Sequence, residues 1–175
     1  ATADYTAANG EVWHADIPYL DGPVGYMTAG NRVYAVGTGD LVNGTDDDVL
    51  FLSYRKNGMI EYAFDVPDGE YSIKLRWAEL EYRNAGERVM TVYAEGQPRI
   101  ASVDLVSAAC FACAYEKIIS PVTVNDGTLN VVIGSTAGNA VLSGVEVIGL
   151  QPLPTATASP TPTSSPRPRS TPSIA

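Results

Sequence analysis

The 175-residue sequence is poor in the residues on which most chemistry depends. It contains one histidine, His14, and two cysteines, and its 11 lysines and arginines stand against 20 acids. A lone histidine lacks the nucleophile and orienting acid of a catalytic relay, and no Gly-x-Ser-x-Gly or His-Glu-x-x-His motif accompanies it. His14 is therefore expected to be a strand-surface or hydrogen-bonding residue. The carboxylate pair of a glycoside hydrolase is not recognisable either. The chain reads as a non-enzyme with no cofactor and no metal ligand set. No apolar run approaches the ~18 residues of a membrane helix, so insertion into a bilayer is not expected. Both Arg167 and Arg169 lie near the C-terminus and no acid does, so residues 1–150 set nine basic residues against 20 acids. So acidic a body argues against nucleic acid as a partner and suits neutral ligands or cations. The start at Ala1 fits a removed secretory leader or a trimmed end.

Aromatic residues and acids are missing altogether from residues 151–175, where seven of the 12 prolines sit among ten serines and threonines. Such a segment cannot bury enough apolar surface to offset the entropy of ordering it. It is expected to be an extended linker or stalk that would accept O-linked sugars, following a folded domain over residues 1–150. That arrangement implies a secreted or cell-surface protein.

The domain itself lacks any helical stripe a dozen residues long. Strand-like runs recur at 12–15, 32–36, 49–55, 60–66, 70–79, 88–94, 99–105, 115–124, 128–133 and 140–150, separated by turn sequences such as Asp21-Gly22-Pro23, Pro67-Asp68-Gly69 and Asn125-Asp126-Gly127. Many short strands at this spacing predict an all-β sandwich of jelly-roll type. Alternation along 70–79 buries Tyr71, Ile73, Leu75 and Trp77, and carried one step further it turns Glu79 inward. Along 88–94, Met90, Val92 and Ala94 share a face with Arg88. Either charge buried alone would be costly, so Glu79 and Arg88 are expected to form a structural ion pair, with Arg55 as a second candidate partner. Cys110 and Cys113, in an exported chain without a second cysteine pair, are expected to form a disulfide that pins a short loop. Asp46-Asp47-Asp48 is expected to be a solvated turn, with a contribution to calcium binding left open.

Ten tyrosines are also present, and most are expected in the core or in cross-strand pairs. Tyr26, Tyr34 and Tyr82 instead sit in or beside polar, loop-like segments, where a ring can pack on the C–H face of a sugar.

The ordered series Trp13-His14-Ala15-Asp16, Asp47-Asp48-Val49-Leu50-Phe51, Tyr62 through Tyr71, Leu75-Arg76-Trp77-Ala78-Glu79, Gly86-Glu87-Arg88-Val89, Val103-Asp104-Leu105, Asn125-Asp126-Gly127 and Gly144-Val145-Glu146-Val147 resembles malectin and the malectin-like carbohydrate-binding modules. The resemblance runs from about Gly10 to Leu150. It implies a jelly-roll sandwich that binds carbohydrate without cleaving it, through aromatic residues and an aspartate on loops at one end. Two of those aromatic positions coincide with Tyr34 and Tyr82. Lys56 and Glu81 stand where the family member has tyrosines, and Gly138 and Asn139 lie near its late aspartate. The expected function is glycan or polysaccharide binding, with Tyr34 and Tyr82 stacking on a sugar ring and Glu81, Asn139 and Lys56 bonding its hydroxyls. The alternative is a structural subunit of an extracellular fibre or surface assembly, joined to copies of itself through the tail or through strand addition at a sheet edge.

Overall fold

The computed structural model of the protein describes residues 3–28, 31–34 and 41–152, with backbone alone at 31–34 and 151–152. Within these residues the chain is built from antiparallel sheets. The strands are β1 (Tyr5–Thr6), β2 (Val12–Trp13), β3 (Val24–Tyr26), β4 (Asn31–Tyr34), β5 (Ser53–Asn57), β6 (Met59–Asp65), β7 (Gly69–Ala78), β8 (Val89–Ala94), β9 (Gln97–Val103), β10 (Ala114–Val124), β11 (Thr128–Ala137), β12 (Ala140–Leu142) and β13 (Gly144–Pro152). One layer is the five-stranded sheet β3-β6-β11-β8-β9. Facing it are two three-stranded pieces, β10-β7-β13 and β12-β5-β4. Only Ser143 separates β12 from β13, and its amide donates to the Arg76 carbonyl at 3.0 Å, so the two pieces join at that residue.

Alternation explains the core. Ile73, Leu75 and Trp77 of β7 are fully enclosed, as are Met90 and Val92 of β8 and Leu129, Val131 and Ile133 of β11. Each such side chain contributes ~1.5–3 kcal/mol by leaving water, and the two inner faces share one cluster. Trp77 is held in orientation as well as buried, because its Nε1 donates to the Val141 carbonyl at 2.8 Å.

Three expected strands are corrected. Residues 49–55 do not form one strand: Asp48–Leu52 is a helical turn, α1, and β5 starts at Ser53. Leu50 and Phe51 explain it, because adjacent residues of a strand face opposite ways, whereas both of these are buried. The turn brings them together with Val42 and Ala78 in a small second cluster on the outer face of β7, flanked by Tyr5 and Trp13. Residues 99–105 end as strand at Val103, and Leu105–Ala108 forms a single turn, α2, capped by Asp104, which accepts from the Ser107 amide at 3.1 Å. Residues 140–150 are interrupted at Ser143, and β13 runs on through Pro152. Residues 153–175, with the expected linker and its sugar acceptors, lie outside the described residues.

Candidate ligand-binding site

At the end of β7 the chain leaves the sheet through Glu79, and the loop carrying Tyr82 is built on that one carboxylate. Glu79 is 1% exposed. Its Oε1 accepts from the backbone amides of Glu81 and Tyr82, both at 3.0 Å, and from Arg88 Nη2 at 3.2 Å. Its Oε2 accepts from Arg88 Nε at 2.6 Å. Two loop amides and a guanidinium thus saturate it, which is the condition under which a charge can stay buried. The Glu79 carbonyl accepts from the Ala112 amide at 2.8 Å, so the Cys110–Cys113 loop, closed by a disulfide, braces the same point from the other side.

Arg88 is the hub. It is 2% exposed and, beyond Glu79, donates through Nη2 to Glu81 Oε2 at 2.8 Å and through Nη1 to the Asn139 carbonyl. Its guanidinium lies 4.9 Å from the centre of the Tyr82 ring. Gly138 backs that ring: a Cβ there would stand 3.1 Å from Tyr82 Cε2 and 2.8 Å from the Glu87 carbonyl, and its φ of +63° is one that glycine adopts without strain. Glu81 also accepts from Lys56 Nζ at 2.6 Å and from the Tyr54 hydroxyl at 3.2 Å. Burial pushes the Glu81 carboxyl up, but the hydrogen bonds from Lys56 and Arg88 outweigh it and hold the group below the usual carboxylate range. Burial, with Glu81 adding to it, pushes the Tyr54 hydroxyl well above the ordinary phenol value, so it stays a donor.

Lys56, Glu81, Tyr82 and Asn139 are thus brought together around the Glu79–Arg88 pair. Tyr34 is placed by its backbone only: β4 pairs Tyr34 with Ser53 and Asn31 with Lys56, which puts Tyr34 toward the opposite end of β5 from Lys56. Arg55 is a correction, since it does not reach Glu79. It donates through Nε and Nη2 to Asp16 Oδ2 at 2.9 and 2.5 Å and lies 3.4 Å from the centre of the Tyr26 ring. Tyr62 donates to the other Asp16 oxygen at 3.0 Å. This second buried pair went unforeseen because Asp16 sits in an irregular segment, where no alternation reveals which way a side chain points. His14 is a surface residue, its side chain 82% exposed and 3.2 Å from Asp4. Asp47 and Asp48 spend their carboxylates on local bonds, from the Tyr5 hydroxyl at 2.9 Å and the Val42 amide at 2.6 Å. No group of three or more His, Cys, Asp and Glu side chains suited to a metal occurs among the described residues.

The sandwich thus carries an aromatic and polar cluster where the chain leaves β7. The family described as Malectin domain matches residues 3–154, and the chain belongs to it. Malectin-B of Xenopus laevis is 27% identical over 94 residues, which is 52% of this chain and 33% of that protein; Malectin-A of the same species matches to the same extent. The chain thus spans about a third of the length of these curated relatives. Among solved structures, a β-glucuronidase of Bacteroides uniformis superposes with a TM-score of 0.75 at 25% identity, covering 85% of this chain and 17% of that enzyme. The ANX2 ectodomain from Arabidopsis thaliana gives a TM-score of 0.71 over 87% of this chain and 48% of that one; at 15% identity it shows the fold alone.

Proposed function

We propose that the protein is a non-catalytic carbohydrate-binding module whose ligand meets the Tyr82 loop. The carrying observation is that Tyr82 is held from beneath: two loop amides are tied to Glu79, the guanidinium of Arg88 stands under the ring and Gly138 backs it. A stacking platform is effective to the extent that its ring is immobilised before the ligand arrives. Lys56, Glu81 and the Asn139 side chain are the candidates to bond sugar hydroxyls around it, whereas Tyr34, whose backbone pairs with Ser53 at the far end of β5, is given no part in this site. Membership of the Malectin family supports a saccharide ligand. Among the described residues no helix is long and apolar enough to cross a membrane. Residues 153–175, which follow β13, serve in this reading as a Pro/Thr/Ser-rich tether.

Calorimetry and glycan arrays against glucans, mannans and cell-wall polymers test the reading. Saturable binding of at least one neutral glycan by the folded chain is expected, and no binding to any of them overturns it.

A second reading, assembly of copies of the chain, is favoured by β10. Among the described residues this strand of 11 residues forms the edge of its sheet, paired to β7 on one side, with Ile118 62% exposed. Size-exclusion chromatography of the chain with and without residues 153–175 separates the two. A monomer in both cases removes the assembly reading.

A further inference from the structure

Glu79 is tied down through its backbone as well as its side chain. Its carboxylate holds the amides of Glu81 and Tyr82, and its carbonyl accepts from the Ala112 amide at 2.8 Å. Ala112 lies inside the loop Cys110-Phe111-Ala112-Cys113, which leads from α2 to β10 and is closed by the disulfide. Asn43 grips the same residue from the other side: its amide donates to the Ala112 carbonyl at 2.8 Å, and its own carbonyl accepts from the Ala114 amide at 2.9 Å. Between these bonds Ala112 is held at φ +52°, a left-handed conformation that residues with a Cβ rarely adopt. Phe111 makes a further contact, since the Arg83 guanidinium lies 3.9 Å from the centre of its ring. Arg83 directly follows Tyr82, so the loop that presents the ring is fixed at Glu79 before it and at Phe111 after it.

Packing does little to keep the Cys110–Cys113 loop in this shape. Cys110 is exposed, Phe111, Ala112 and Cys113 are half-buried, and none of the four belongs to either core cluster. A left-handed alanine persists only where its surroundings over-determine it, and the covalent closure is the strongest constraint on this one. The exposure of Cys110 also opens the bond to a dissolved dithiol. One thiolate of the reagent attacks a sulfur of the bond, and the S–S electron pair leaves on the other cysteine, which takes up a proton. The second thiol of the reagent then displaces the first cysteine. Two electrons and two protons thereby pass to Cys110 and Cys113 as thiols, and the reagent ends as a cyclic disulfide. We propose that the Cys110–Cys113 disulfide is a redox-sensitive positioning device for the Tyr82 loop: closed, it holds Ala112 on Glu79 and Phe111 against Arg83; opened by a dithiol, it releases both and loosens the ring that the ligand meets. Its effect on a glycan rests on the reading of the Tyr82 loop given above, whereas its effect on the loop rests on these contacts alone.

Amide hydrogen exchange of the 15N-labelled full chain, oxidised and then treated with dithiothreitol, tests this. The amides of Glu81, Tyr82 and Ala112 are the reporters, and those of Ile73 and Leu75, paired on both sides within β7, are the reference. Reduction is expected to speed exchange at the three reporters by roughly tenfold while the reference amides keep their rates, and reoxidation should restore the first values. Cys110→Ser combined with Cys113→Ser should show the faster exchange with or without the reagent. A glycan that the oxidised chain binds should lose about threefold or more in affinity on reduction and regain it on reoxidation. Reporter exchange that reduction leaves unchanged overturns the proposal. So does acceleration spread equally over the reference amides, since the bond would then only stabilise the whole domain, and so does a disulfide that dithiothreitol does not open. Glycan binding that is equal in both states overturns the device but keeps the saccharide reading. Faster reporter exchange in a chain that binds no glycan in either state supports the device and removes only that reading.

Discussion

The two ends of β5 lead to regions with opposite polar economies, Lys56 to the Glu79–Arg88 network and Ser53 to a cavity walled by Trp13 and Glu146. Around Glu79 and Arg88 both charges are bonded: the Glu79 carboxylate takes four donors, and Arg88 reaches two carboxylates and a carbonyl. Around Trp13 the indole N–H is buried without a hydrogen bond among the described residues, and the Glu146 carboxylate is held by Lys74 Nζ at 2.9 Å. The contrast separates two ways of holding buried polar groups. The first joins them in one network that keeps a ring rigid. The second leaves the Trp13 indole N–H enclosed without a partner among the described residues and holds the Glu146 carboxylate by its charge pair with Lys74 alone.

The largest effect expected from breaking the saturated side is Glu79→Ala. Removing one partner strands Arg88 and releases two loop amides, so stability should fall by ~3–5 kcal/mol in chemical denaturation. A loss well below that would mean that the network is not the anchor. Gly138→Ala is expected next, at about 1–3 kcal/mol, because the new Cβ meets the Glu87 carbonyl at 2.8 Å and φ is positive. This variant should also disturb Tyr82, which the ring's NMR signals would report.

Acid tests the same side reversibly. The folded-state pKa of Glu81 is depressed, so its contribution is complete above the ordinary carboxylate value near ~4.3 and is lost as pH falls through the lower, folded value. Stability followed from neutral pH downward should hold until that range and then drop, and Glu81→Gln should remove part of the drop. The smallest effect is expected on the unsaturated side. Trp13→Phe deletes a buried N–H that makes no hydrogen bond among the described residues together with part of the ring that packs on Gly144, so its cost should be about 1 kcal/mol. A cost comparable with that of Glu79→Ala would erase the contrast.

What was legible in the sequence follows the same division. The period of two along β7 and β8 pointed Glu79 and Arg88 to one interior, and the structure places them 2.6 Å apart. Regular strands make direction readable because each residue reverses the face of the one before. Beyond the strand that rule stops. Glu81 was seen as a hydroxyl-bonding group, but its bonds to Lys56, Tyr54 and Arg88 come from segments far apart in sequence. The Asp16–Arg55–Tyr62 cluster and the Trp13 cavity were hidden for the same reason. Both depend on how the N-terminal segment lies across the sandwich, which no local pattern encodes. The helical turn at α1 was concealed by β-like composition, and only the need to bury both Leu50 and Phe51 reveals it.

The central claim is that a ring held still by a buried ion pair meets a saccharide. Calorimetric titration of the wild-type chain and of Tyr82→Ala with a neutral glycan that the wild type binds tests it most directly. The account predicts that the variant stays folded and loses roughly 1–3 kcal/mol of binding free energy, the scale of an aromatic anchor. Equal affinity of the two proteins for that glycan would contradict it.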